Sequence, residues 1–103
     1  MVSKEEVLDY RKILGDIDYY ANSEDDNLQK VALNLCISLS GKMRVEDFME
    51  EEKAAEFENI RMRLRRIFEV KEIVTRMQIK SFYNKLKEFV DYLEKNVLVK
   101  RTP

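Results

Sequence analysis

Histidine and tryptophan are absent from this chain of 103 residues, and cysteine and proline occur once each. Without histidine, the commonest general base and the commonest zinc ligand are both missing. A single thiol, Cys36, can neither close an internal disulfide nor build a thiolate cage. That usage fits the reducing cytoplasm better than secretion. Glycine is confined to Gly15 and Gly41. So few chain breakers argue against a sandwich or small barrel, which need many tight turns. No apolar run is long enough to span a bilayer, so no membrane partner is expected. The polar, acidic residues 1–6 are unlike a signal peptide. Phosphate-cradling glycine loops, serine-nucleophile motifs and deaminase signatures are missing too. These absences point away from an enzyme. No catalytic residue, cofactor or metal is expected.

What remains is a chain that is 45% hydrophobic and 38% charged. That hydrophobic share argues against a wholly disordered chain. The length is that of one domain, 1–103, with a frayed tail from about residue 98. Apolar spacing predicts an all-α fold, a small antiparallel bundle of about four helices over 3–21, 24–40, 45–68 and 75–97. One long bent helix across 45–97 is the alternative.

The first helix has the clearest start. Ser3 with Glu6 forms a capping box, and Val7, Tyr10, Leu14, Ile17 and Ala21 follow at three- and four-residue spacing. Gly15, inside that pattern, either permits a close helix contact or is merely tolerated. Ser23 or Asn22 can cap the second helix, whose stripe is Leu28, Val31, Ala32, Leu35 and Leu39, with Cys36 at its edge. Leu33 and Ile37 fall off that stripe, which suggests a central helix or one covered by a second copy. Gly41 suits a left-handed helix stop. In the third helix, Phe48, Met49, Ala55 and Phe57 are the apolar positions of an acidic first half. Ile60, Leu64, Ile67 and Phe68 define the second half. A break is expected between 69 and 75, and Thr75 with Gln78 resembles a capping box for the last helix.

Charge is divided along the chain. Residues 1–60 carry 15 acidic and 7 basic side chains, and residues 61–103 carry 12 basic and 5 acidic ones. In the simplest reading, acidic and basic helices attract and help select one topology. In the sharper reading, unmatched basic surface meets an acidic partner. Its densest point is the arginine fan Arg61, Arg63, Arg65 and Arg66. With Lys80 and Lys87, these are the candidate phosphate contacts of a nucleic-acid-binding accessory protein. Against this stand the acidic front half and the lack of a glycine-containing helix-turn-helix turn or finger motif. Five tyrosines in so short a chain favour protein recognition instead. Tyr19, Leu33, Ile37 and Tyr92 are the candidate protein contacts, and a two-fold homodimer is the commonest way to cover them. The acidic run 46–52 lacks the loop spacing of a calcium site.

Residues 60–74 are similar to the helical core of small archaeal replication-complex (GINS-type) subunits. Any basic amphipathic helix shows such spacing, so no family is assigned on that stretch. The sequence reading is thus a cytoplasmic, non-enzymatic helical protein that acts by protein–protein binding or homodimer assembly, with nucleic-acid binding as the alternative.

Overall fold

The computed structural model describes the backbone of residues 1–101 and the side chains of residues 1–97. Four helices run in order: α1 (Lys4–Ala21), α2 (Asp26–Lys42), α3 (Glu51–Val70) and α4 (Arg76–Arg101). A short 3-10 turn, Val45–Asp47, lies between α2 and α3. No strand occurs among the described residues. The expected all-α bundle is therefore the observed fold.

Successive helices run antiparallel. The Tyr10 hydroxyl near the start of α1 donates to the Lys42 carbonyl at the end of α2, 3.3 Å away. At the opposite end Ala21 and Ala32 share a small core with Ile79. Arg11 ties α1 to α4 through Asp91 at 2.6 Å and Glu94 at 2.7 Å. Phe57 of α3 meets Phe89 of α4 edge-on, with ring centroids 5.6 Å apart.

α1 follows its sequence pattern closely. Both halves of the Ser3–Glu6 capping box are present, and Val7, Tyr10, Leu14, Ile17 and Ala21 are all buried. Gly15 is helical and exposed. An added Cβ there would meet nothing within 4 Å, so no close helix contact explains it.

α2 departs from expectation in three places. Its cap is Asp25, not Ser23 or Asn22. The Asp25 carboxylate accepts from the Asn27 and Leu28 amides, and Ser23 Oγ instead accepts from the Asp25 amide at 3.0 Å. Gly41 is not a left-handed stop. It stays inside the helix, which ends with extended backbone at Met43. The buried face is also rotated from the predicted stripe. Ala32, Cys36, Leu39 and Ser40 are buried, while Val31 is exposed. α2 touches all three other helices. It therefore buries a broad arc centred near Cys36, with Leu33, Leu35 and Ile37 half-buried on its flanks.

The helix expected over 45–68 does not begin at 45. Residues 45–47 form the 3-10 turn, Phe48 and Glu50 are extended, and α3 starts at Glu51. The reason is geometric. Phe48 and Phe57 are nine residues apart, which on one α-helix places them on opposite sides. Both are needed in the core, where their rings stack with centroids 4.6 Å apart. The chain must leave the helix between them. The α3 end at Val70 agrees with the expected break. Lys71 takes the left-handed conformation, φ 53° and ψ 44°, and the Glu72 amide donates to the Ile67 carbonyl at 3.1 Å. This is the six-to-one bond of a Schellman cap, made without glycine.

At α4, the Thr75–Gln78 capping box is present in both directions, at 2.7 and 3.1 Å. The expected fraying from about 98 is not seen in the backbone, which stays helical to Arg101. Thr102 and Pro103, the end of that tail, lie outside the described residues.

Candidate functional site

The arginine fan lies on the second half of α3, where Leu64 and Ile67 face the core and leave the remaining directions to polar side chains. Three of its four arginines face carboxylates close in sequence. Arg61 is half-buried and donates to Glu58 one turn back. Arg63 meets Glu72 at 3.0 Å, across the turn that ends α3. Arg65 meets Glu69 at 3.0 Å, one turn on. Arg66 is exposed and has no acidic partner among the described residues. Lys80 and Lys87 on α4 are exposed and unpaired in the same sense. The six candidate phosphate contacts thus reduce to three unmatched cations, spread over two helices.

Arg76 has a different task. It donates to the Ala21 and Asn22 carbonyls at 3.4 and 3.0 Å. α1 has no basic residue in its last turn. A cation from α4 therefore sits at the negative end of the α1 dipole.

The four candidate protein contacts separate just as clearly. Tyr19 is 73% exposed and stands edge-on to Tyr20, centroids 5.3 Å apart. Leu33 and Ile37 are half-buried against the core. Tyr92 is half-buried and helps build the α2–α3 connection. Its ring stacks on Phe48 at 5.7 Å, and its hydroxyl accepts from the Glu50 amide at 3.3 Å. Only Tyr19 of the four presents most of its side chain to solvent.

A different set of exposed apolar residues escaped the sequence reading. Met62, Phe68, Val70, Ile73 and Met77 lie on the outer part of α3, the 71–75 link and the first turn of α4. Ile73 is 96% exposed and Met77 81%. Phe68, expected on the inner stripe of α3, is exposed, while its neighbour Ile67 is buried. Within residues 61–80 there are also seven Lys or Arg against two Glu. Periodicity could not expose this surface, because it scores each apolar residue as core. The signal available was the crowding of Val70, Ile73 and Met77 around a helix break.

Two shallow hollows open on the surface. One is lined by Gly15, Asp18, Tyr19, Asn22, Ser23 and Leu28. The other lies on α3 between Asn59, Met62, Arg63, Arg65, Arg66 and Glu69. Among the described residues no three carboxylates or thiols converge as a metal site would require. Cys36 is fully buried, and that burial pushes its thiol up to about 12, far from a reactive thiolate. No helix of the described residues is long and apolar enough to cross a membrane. Comparison with protein families, curated proteins and solved structures finds no match to this chain.

Proposed function

We propose that this protein works by binding another protein, without catalysing a reaction, through the outer surface of α3 and the α3–α4 link. The observation that carries this reading is the exposed set Met62, Phe68, Val70, Ile73 and Met77, set among the cations Arg66, Lys71 and Lys80. Large apolar side chains left exposed within one stretch of chain, 62–77, support an interaction role for it. Methionine, aromatic and arginine side chains are the types enriched at protein interfaces. A reducing compartment such as the cytoplasm suits Cys36, a free buried thiol.

Nucleic-acid binding is the second reading. Arg66, Lys71, Lys80 and Lys87 favour it, being exposed and without acidic partners among the described residues. It is weakened by the glutamates already facing Arg61, Arg63 and Arg65.

One variant and two measurements separate the readings. The triple variant Phe68→Asp, Ile73→Asp, Met77→Asp changes only exposed positions and keeps the helical circular dichroism. Partners cross-linked to the wild-type protein in extract are lost from this variant. Identical capture by both proteins overturns the protein-binding reading. Fluorescence anisotropy with duplex and single-stranded nucleic acid at low salt is expected to show no binding. A tight complex that weakens steeply as salt rises installs the second reading instead.

A further inference from the structure

The helix α3 is a charge dipole on its own outer face. Its first nine residues, 51–59, carry Glu51, Glu52, Glu56 and Glu58 against one lysine. Its last eleven, 60–70, carry Arg61, Arg63, Arg65 and Arg66 against one glutamate. The buried side is defined by Phe57, Leu64 and Ile67. At 100° per residue, the direction opposite to these three passes through Ala55 and Met62, and both are exposed. Glu51, Glu52, Asn59, Arg65 and Arg66 flank this ridge and are exposed as well. Glu51, Glu52 and Arg66 have no partner among the described residues. Arg65 has only the solvent-exposed pair with Glu69, of a kind worth about 0–1 kcal/mol and readily exchanged.

These positions are symmetric about a point between Glu58 and Asn59. Glu51 is as far before it as Arg66 is after it. The same holds for Glu52 with Arg65, and for Ala55 with Met62. We propose that α3 docks antiparallel on the α3 of a second copy of this chain, across a two-fold axis at that point. In that arrangement Glu51 and Glu52 of each copy come level with Arg65 and Arg66 of the other. Ala55 receives Met62 of the other copy beside the hollow at Asn59, Met62 and Arg66. A parallel pairing would set acid on acid and arginine on arginine. The charge order along α3 therefore selects both the occupant and its direction. This is the self-complementarity that an isologous interface requires.

The contact is one helix face about 30 Å long. It is smaller than the roughly 1,600 Å² of a standard stable interface. The dimer is accordingly weak and dominated by its charges, and it dissociates as salt screens them. The proposal rests on the protein-binding reading above and adds a second surface, a ridge of α3 that shares only Met62 with the exposed set carrying that reading.

Sedimentation velocity over a concentration series at about 0.05 M and about 0.5 M salt tests it. The wild-type protein dimerises at low salt and dissociates at high salt. The variant Arg65→Glu, Arg66→Glu makes the docking face of α3 acidic at both ends, and Glu51→Arg, Glu52→Arg makes it basic at both ends. Each alone loses self-association by about 100-fold or more, and an equimolar mixture of the two restores the dimer. Asn59→Cys cross-links two copies under oxidation, whereas Glu52→Cys does not. A monomer at every concentration and salt overturns self-docking. So does failure of the two charge variants to pair when mixed. If cross-linked partners are still lost from the Phe68, Ile73 and Met77 variant, the protein-binding reading survives that failure.

Discussion

Arg44 joins three segments of the chain through one guanidinium. It donates twice to Glu6, at 2.7 and 3.1 Å, and lies 3.1 Å from the nearly buried carboxylate of Asp47. Glu6 is also the acceptor in the α1 capping box, taking the Ser3 amide at 3.0 Å. The Arg44 hydrogen bonds, then the Ser3 amide, hold its carboxyl well below the usual 4.5, at about 2. A carboxylate depressed in the folded state stabilises the fold fully above its unfolded value. It loses that contribution as pH falls through the folded one. Stability carried by Glu6 is thus intact above about pH 4.5 and disappears toward pH 2. Urea midpoints measured from pH 6 to pH 2 should fall in that window for the wild-type protein. Arg44→Ala should start lower at pH 6 and lose less across the window, because Glu6 then titrates closer to its ordinary value. Equal losses in both proteins would contradict the assignment. The side chain of Glu6 is about one-third exposed, so solvent moderates the effect.

At the scale of the element, two helix beginnings were legible as reciprocal capping boxes, whereas the Asp25 cap of α2 was misread. Ser3 with Glu6 and Thr75 with Gln78 each satisfy amides within four residues, and both form as read. The stops were less legible. Gly41 looked like a terminator, but α2 continues through it because Met43 must reach the core, where it is buried. Lys71 did not look like a terminator and yet adopts the left-handed cap. Both glycines are helical, with open space where a Cβ would be. Gly15→Ala and Gly41→Ala should each stabilise the protein by roughly 0.5–1 kcal/mol, raising Tm by a few degrees. A loss of stability at Gly41 would show that it needs a conformation alanine disfavours. Lys71→Gly relieves a left-handed lysine and should also raise Tm, by less than about 1 kcal/mol once unfolded-state entropy is counted. Thermal melts of the three variants check these signs. The start of α3 was misplaced for a different reason. Whether Phe48 belongs to the helix depends on Phe57, Phe89 and Tyr92 gathering around it. No window of local sequence contains that requirement.

Over the whole molecule, the division between an acidic front and a basic rear does not become one large internal attraction. Arg63–Glu72, Arg65–Glu69 and Arg44–Glu6 are each formed within one half. Lys85 does reach Glu56 across the division, at 3.5 Å. The strongest link between α1 and α4 runs against the trend, with Arg11 of the acidic half held by Asp91 and Glu94. Charge order along α3 therefore stays on the surface rather than being spent inside the bundle. The centre of the molecule is apolar, and Cys36 on α2 is a probe of it. Its thiol should react with a disulfide reagent only on opening of the bundle, at least about 1,000-fold more slowly in the native protein than in denaturant. Fast labelling under native conditions would mean that α2 opens without global unfolding.

The sequence by itself determined the helical class, the capped starts of α1 and α4, the inner face of α1 and the break before α4. Each depends on residues three or four apart, where backbone geometry dictates the contact. Tertiary structure alone decided which side of α2 is buried and where α3 begins. It also decided which arginines keep a free charge and that Tyr92 supports the core while Phe68 and Ile73 face solvent. Those outcomes depend on what lies across from a residue, and residues far apart in the chain set that. The absence of histidine and the single cysteine underlie the proposal of a binding role. Only packing left Met62, Phe68, Val70, Ile73 and Met77 exposed to solvent.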